Sequence, residues 1–117
     1  PGVPTADDVT VNITFKDDGN GNLCPDDVDK ECPEVFSGKT ITFQAVDGSG
    51  NPFDDPPRFK VYFAPIQGKQ LNGNNGSVTA NIDDDVPKAI YKYTVWDWPQ
   101  QGDPVCEPLD PNFRVNL

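Results

Sequence analysis

At 117 residues, with 35% hydrophobic side chains, 13 prolines and 10 glycines, the chain fits one domain (1–117) with a modest core. Pro and Gly recur too often for long helices. A net charge of −10 argues against nucleic acid and anionic lipid, no run approaches the ~20 apolar residues of a membrane span, and partners chosen by electrostatics are expected to be cationic.

Period-two alternation predicts the strands in chain order. Val9, Val11, Ile13 and Phe15 face one side, against Thr10, Asn12 and Thr14. A short strand over 34–36 precedes a Ser37-Gly38 turn, and Ile41, Phe43 and Ala45 then alternate with Thr40, Thr42 and Gln44. Phe59, Val61 and Phe63 oppose Arg58, Lys60 and Tyr62. Val78, Ala80 and Ile82 follow, then Tyr91, Tyr93 and Val95, and last Phe113, Val115 and Leu117. The stretches DDGNGN, DGSGNPFDDPP, QGKQLNGNNG and DDDVP between them have turn chemistry. Six or seven such strands predict two packed antiparallel sheets, an all-β Greek-key β-sandwich.

The cysteines are Cys24, Cys32 and Cys106. CPDDVDKEC is too polar for core, so it reads as a loop in an oxidising compartment with a Cys24–Cys32 disulfide expected first. A bond from either to Cys106 is the alternative, as are three reduced thiols. Starting at Pro1 and lacking Met, the chain reads as a mature or trimmed domain.

Asp18, Asn20, Asn22 and Asp26 offer alternating hard oxygens like the start of a calcium loop. Leu23 stands where such a loop needs Gly, Pro25 interrupts it and no Glu closes it, so turn formation is the simpler reading; Asp47, Ser49 and Asn51 are a fainter echo. The acid pairs Asp17-Asp18, Asp26-Asp27 and Asp54-Asp55 and the run Asp83–Asp85 lie in predicted turns, where carboxylates cap backbone N–H groups. With no histidine in the chain, Ser37, Ser49 and Ser77 lack an evident activating base, so no enzyme is expected. Trp96 and Trp98 alternate away from Tyr93 and Val95 and form a partner-binding candidate, or else a cover for an open end of the sandwich. Asn12-Ile13-Thr14 and Asn75-Gly76-Ser77 match the short glycosylation pattern.

Three stretches, VFSGKTITFQAVD, YKYTV and PLDPNFRVNL, resemble strands of cupredoxin-like (blue-copper) domains. An immunoglobulin-like sandwich, which shares the alternation, is the alternative. The resemblance implies that the Cys24/Cys32 segment and the Cys106 loop lie at one end. It also places the copper thiolate at Val95, a histidine at Trp98 and the axial ligand near Leu109 or Asp110. None of these residue types supplies the two imidazoles and thiolate that blue copper requires, and Cys106 alone cannot replace them, so no cofactor is expected. The expected function is non-catalytic: an exported, periplasmic or extracellular domain that binds a protein or serves as a cell-envelope module. Its contacting end would be built from 17–33 and 96–111. A calcium- or carbohydrate-binding accessory module is the alternative.

Overall fold

The computed structural model describes residues 8–63, 69–73, 75–99 and 101–116. Among these, the strands are β1 (Val9–Asp17), β2 (Leu23–Val28), β3 (Glu34–Phe36), β4 (Thr40–Val46), β5 (Phe59–Phe63), β6 (Lys69–Gly73), β7 (Ser77–Asn81), β8 (Ala89–Asp97) and β9 (Asn112–Asn116). They form a four-stranded sheet in the order β2-β1-β4-β7 and a five-stranded sheet in the order β3-β9-β8-β5-β6. The two sheets pack as an all-β sandwich. Every strand predicted by alternation is present; Leu117 lies outside the described residues.

The structure corrects three expectations. The sheets are mixed rather than antiparallel, because β1 pairs parallel with β4, and β3 with β9. The 24–32 segment is not one loop: residues up to Val28 form edge strand β2, and Pro25 is buried opposite Phe15. A register shift between Thr14 and Phe15 accommodates β2, which hides its alternation from the sequence. The third correction is β6, an edge strand reading KQLNG that has no apolar alternation to detect.

Each sheet sends one face inward. Val11, Ile13, Phe15, Ile41, Phe43 and Ala45 meet Phe59, Val61, Phe63, Tyr93, Val95 and Phe113, all essentially sealed from solvent. Aromatic rings link the layers: Phe43 lies 4.9 Å from Tyr93, and Phe15 lies 5.6 Å from Phe59, between ring centroids. Within the five-stranded sheet Phe63 stacks on Phe113 at 4.7 Å. Such ring pairs add to the transfer free energy of burial.

One core group is left polar and unpaired. The Tyr93 hydroxyl is buried with no hydrogen-bond partner among the described residues. Burial pushes its pKa up, with a smaller contribution from negative charge at Asp29 and Cys32. Replacing Tyr93 by Phe keeps the ring contacts and removes the unsatisfied group, so it is expected to stabilise the fold by about 1 kcal/mol in urea denaturation. A loss of stability in that variant would show that the hydroxyl has a partner.

Candidate functional site

Parallel pairing sends the C-terminal ends of β1 and β4 to the same end of the sandwich. There the β1–β2 turn meets the approach to β5 and the exit from β8. Together they line an open cleft of ≈ 320 Å³ bordered by Asn22, Leu23, Arg58, Asp97, Trp98 and Val105. Pro56 forms part of its wall and is set by Gly76, whose φ of +83° suits glycine and where a Cβ would overlap the Pro56 ring.

Two anchors hold the β8–β9 connection at this end. A disulfide joins Cys24 to Cys106, with a Cα separation of 5.6 Å. This replaces the Cys24–Cys32 bond expected first: β2 runs away from Cys24, and Cys32 lies beyond its far end as an exposed free thiol. Residues 28–33 therefore do not belong to the cleft end, and only Cys24 shares it with Cys106. The disulfide fits an oxidising compartment.

The second anchor is Asp97, only 5% exposed. Its Oδ2 accepts a hydrogen bond from the Val105 backbone N–H at 2.8 Å, and its Oδ1 accepts one from Cys106 N–H at 3.2 Å. Asp97 shares the inward side of β8 with Tyr93 and Val95. The alternation in the sequence put it there, and a carboxylate in an inward position was the available signal.

Trp96 and Trp98 lie as the alternation predicts, on the side opposite Tyr93 and Val95. Trp96 is 37% exposed and stands across from Lys60, whereas Trp98 is half-buried. The Arg58 guanidinium lies 3.9 Å from the Trp98 ring centroid, and Lys60 Nζ lies 4.9 Å from it. Cations this close to an indole are held by its ring quadrupole, worth about 0.5–1 kcal/mol each where solvent reaches. Arg58 Nε is buried without a hydrogen-bond partner among the described residues. Neither cation makes an ion pair there; the three seen are Lys16–Asp26, Lys30–Asp29 and Lys92–Asp110. Gln101 is exposed; Gln100 lies outside the described residues.

The calcium candidates do not converge on one point. Asp18 Oδ1 accepts from the N–H groups of Asn20 (2.7 Å) and Asn22 (3.2 Å), and its Oδ2 accepts from Asn22 Nδ2 at 3.1 Å. Asp26 is on β2, ion-paired with Lys16 at 3.2 Å. Asp18 therefore shapes the β1–β2 turn. Asp47 does the same for its own turn, accepting from Ser49 and Asn51 N–H.

The bond from Asn20 N–H, then the one from the Asn22 side chain, holds the Asp18 carboxyl below the usual carboxylate range. A lowered folded pKa gives stability present above the unfolded value near ~4 and lost as pH falls through the folded one. Asp18→Asn is accordingly expected to flatten the loss of stability below about pH 4. Parallel urea melts across that range check it, and unchanged steepness would argue against the turn role.

The positions carried over from blue copper hold no donor set. Val95 is in the sealed core and bridges Leu109, which packs against the same core. Asp110 pairs outward with Lys92 at 3.2 Å and accepts from Thr94 Oγ1. Among the described residues no group of three His, Cys, Asp or Glu side chains is placed to hold a metal ion. No helix among them is long and apolar enough to cross a membrane.

No protein-family model matches the chain, and no curated protein matches it. Among solved structures, the N-terminal domain of phage TP901-1 ORF48 aligns over 94% of this chain and 98% of that one, at 8% identity and a TM-score of 0.46. A likeness that slight carries no argument about function.

Proposed function

We propose that the chain is a non-catalytic, exported binding domain of cupredoxin-like type without copper, acting through the end that carries Trp96 and Trp98. The observation that carries this reading is an exposed indole, Trp96, beside a second indole loaded with two cations at a rigidly anchored end. Trp, Tyr and Arg dominate the energetic centres of protein interfaces, because each offers large contact area with a polar or charged handle. The disulfide and Asp97 pre-organise the surface, which lowers the ordering cost of binding.

Other features support the details. Mixed sheets with two parallel pairs depart from the two antiparallel sheets of constant-type immunoglobulin domains, which favours the cupredoxin-like reading. The disulfide supports an exported, cell-envelope setting. As for a non-catalytic role, both oxygens of the cleft carboxylate Asp97 are committed to backbone N–H groups.

The test compares immobilised wild type with Trp96→Ala and Trp98→Ala in quantitative pull-downs from cell-envelope extracts, with melting curves as folding controls. A defined partner retained by wild type and lost at least in part with Trp96→Ala is expected. Identical retention by all three proteins would count against the reading.

A further inference from the structure

The outward positions of β5, β8 and β9 make one continuous surface. Register sets Lys60 opposite Trp96, Tyr62 opposite Thr94, Lys92 opposite Asn112 and Ile90 opposite Arg114. Of the four large apolar side chains most exposed among the described residues, three stand here: Tyr62, Ile90 and Trp96. Six residue steps along β8 lead from Ile90 to Trp96, about 20 Å of extended strand. A hollow lies at each end of this span. One is the cleft beside Arg58 and Trp98, and the other, of ≈ 290 Å³, is lined by Lys88, Ala89, Ile90 and Arg114.

The sign of charge on this surface is opposite to that of the chain. Arg58, Lys60, Lys88, Lys92 and Arg114 are five of its nine Lys and Arg residues. The carboxylates placed against them by register or ion pair are Glu34, across from Arg114, and Asp110, bonded to Lys92, out of nineteen Asp and Glu. At the cleft end this face is bordered by the β1–β2 turn, which Asp17 and Asp18 shape, and by Asp55, so the excess of cations belongs to the outward strand positions themselves. At physiological salt the ~8 Å screening length leaves contact charges in force while muting more distant ones.

Building on the protein-binding reading above, we propose that this sheet face docks a protein partner whose contact segment carries carboxylates set among apolar side chains. Tyr62, Trp96 and Ile90 supply the apolar contacts. Arg58 and Lys60, held on Trp98 and without an ion pair among the described residues, supply charge-assisted hydrogen bonds to the partner's Asp or Glu. A nucleic acid fits less well, since a long run of phosphates extends beyond this face into the field of a −10 chain. The partner chemistry is thus the reverse of the cationic one that net charge predicts.

Trp96 and Trp98 are the only tryptophans, so their emission reports on this face directly. The folded protein is titrated with a soluble synthetic peptide alternating Glu with Leu, with its Gln and Lys counterparts, and with a heparin oligosaccharide. Sedimentation at rising protein concentration is run alongside. The Glu peptide is expected to shift the emission saturably, to weaken as salt rises, and to lose about tenfold or more in affinity to the Arg58→Gln/Lys60→Gln variant. Should Arg58→Gln lower the melting midpoint, Lys60→Glu alone carries the comparison.

If the Gln or Lys peptide binds as tightly as the Glu peptide, the acidic partner is overturned while the protein-binding reading stands. A saturable shift from heparin alone would assign the face to a sulfated saccharide, and salt-sensitive dimerisation without peptide binding would assign it to a second copy. Either outcome overturns the proposal. Emission unmoved by any probe would overturn both the proposal and the binding role of the tryptophans.

Discussion

Reducing the Cys24–Cys106 disulfide is expected to cost about 4.5 kcal/mol, because the bond closes a loop between residues 82 positions apart. In the chain-entropy account, that closure removes conformations from the unfolded ensemble. For a domain of this size the loss corresponds to a fall of roughly 20 °C in melting midpoint. Tryptophan-monitored melts with and without a reductant that leaves peptide bonds intact measure it, with Cys24→Ser/Cys106→Ser as the matching variant. Cys32→Ser removes only an exposed free thiol and is expected to stay within about 0.5 kcal/mol of wild type. A reduced protein that melts at the same temperature, or a peptide map joining Cys24 to Cys32, would contradict the assignment.

That pairing also shows where sequence reading stops. Nearness along the chain favoured Cys24 with Cys32, but four residues of extended strand from Cys24 to Val28 carry the backbone about 13 Å away. A disulfide spans Cα atoms no more than about 7 Å apart. The strand was invisible because Pro25 takes a buried place opposite Phe15, and the shifted register breaks the alternation. Strands with one sealed face, such as Val9–Asp17 and Ala89–Asp97, were legible for the opposite reason: burial there imposes a strict period of two. The parallel pairings β1–β4 and β3–β9 leave no comparable mark, since alternation says which side a residue faces and nothing about its neighbouring strand.

The candidate site divides in the same way. Trp96 and Trp98 were readable as outward-facing, and so were Lys60 and Tyr62. What alternation could not supply is that β5 lies beside β8, which brings Arg58 and Lys60 onto the Trp98 ring. Net charge misled for a related reason. Nineteen acids and nine bases give a total, whereas recognition depends on where they fall, and the bases gather on one sheet face.

Asp97→Ala carries the second large effect, an expected loss of about 3 kcal/mol. The native carboxylate is buried, and both its oxygens accept backbone N–H groups, so truncation leaves the Val105 and Cys106 donors without partners. A hydrogen bond to a charged group is worth about 1.5–3 kcal/mol, and the loss of two is partly offset here by no longer burying a charge and by water reaching the exposed Val105 side. Asp97→Asn retains one acceptor oxygen and is expected to lose about half as much. Because Asp97 and the disulfide both fix Cys106, their effects are coupled: once the bond is reduced, the loop is free to leave and Asp97 has less to hold. The cycle of Asp97→Ala with reduction is therefore expected to fall short of additivity by about 1 kcal/mol or more. Urea melts of the four species measure that term. Full additivity would mean that Asp97 and Cys106 anchor separate structures, and the single braced end on which binding rests would then have to be divided in two.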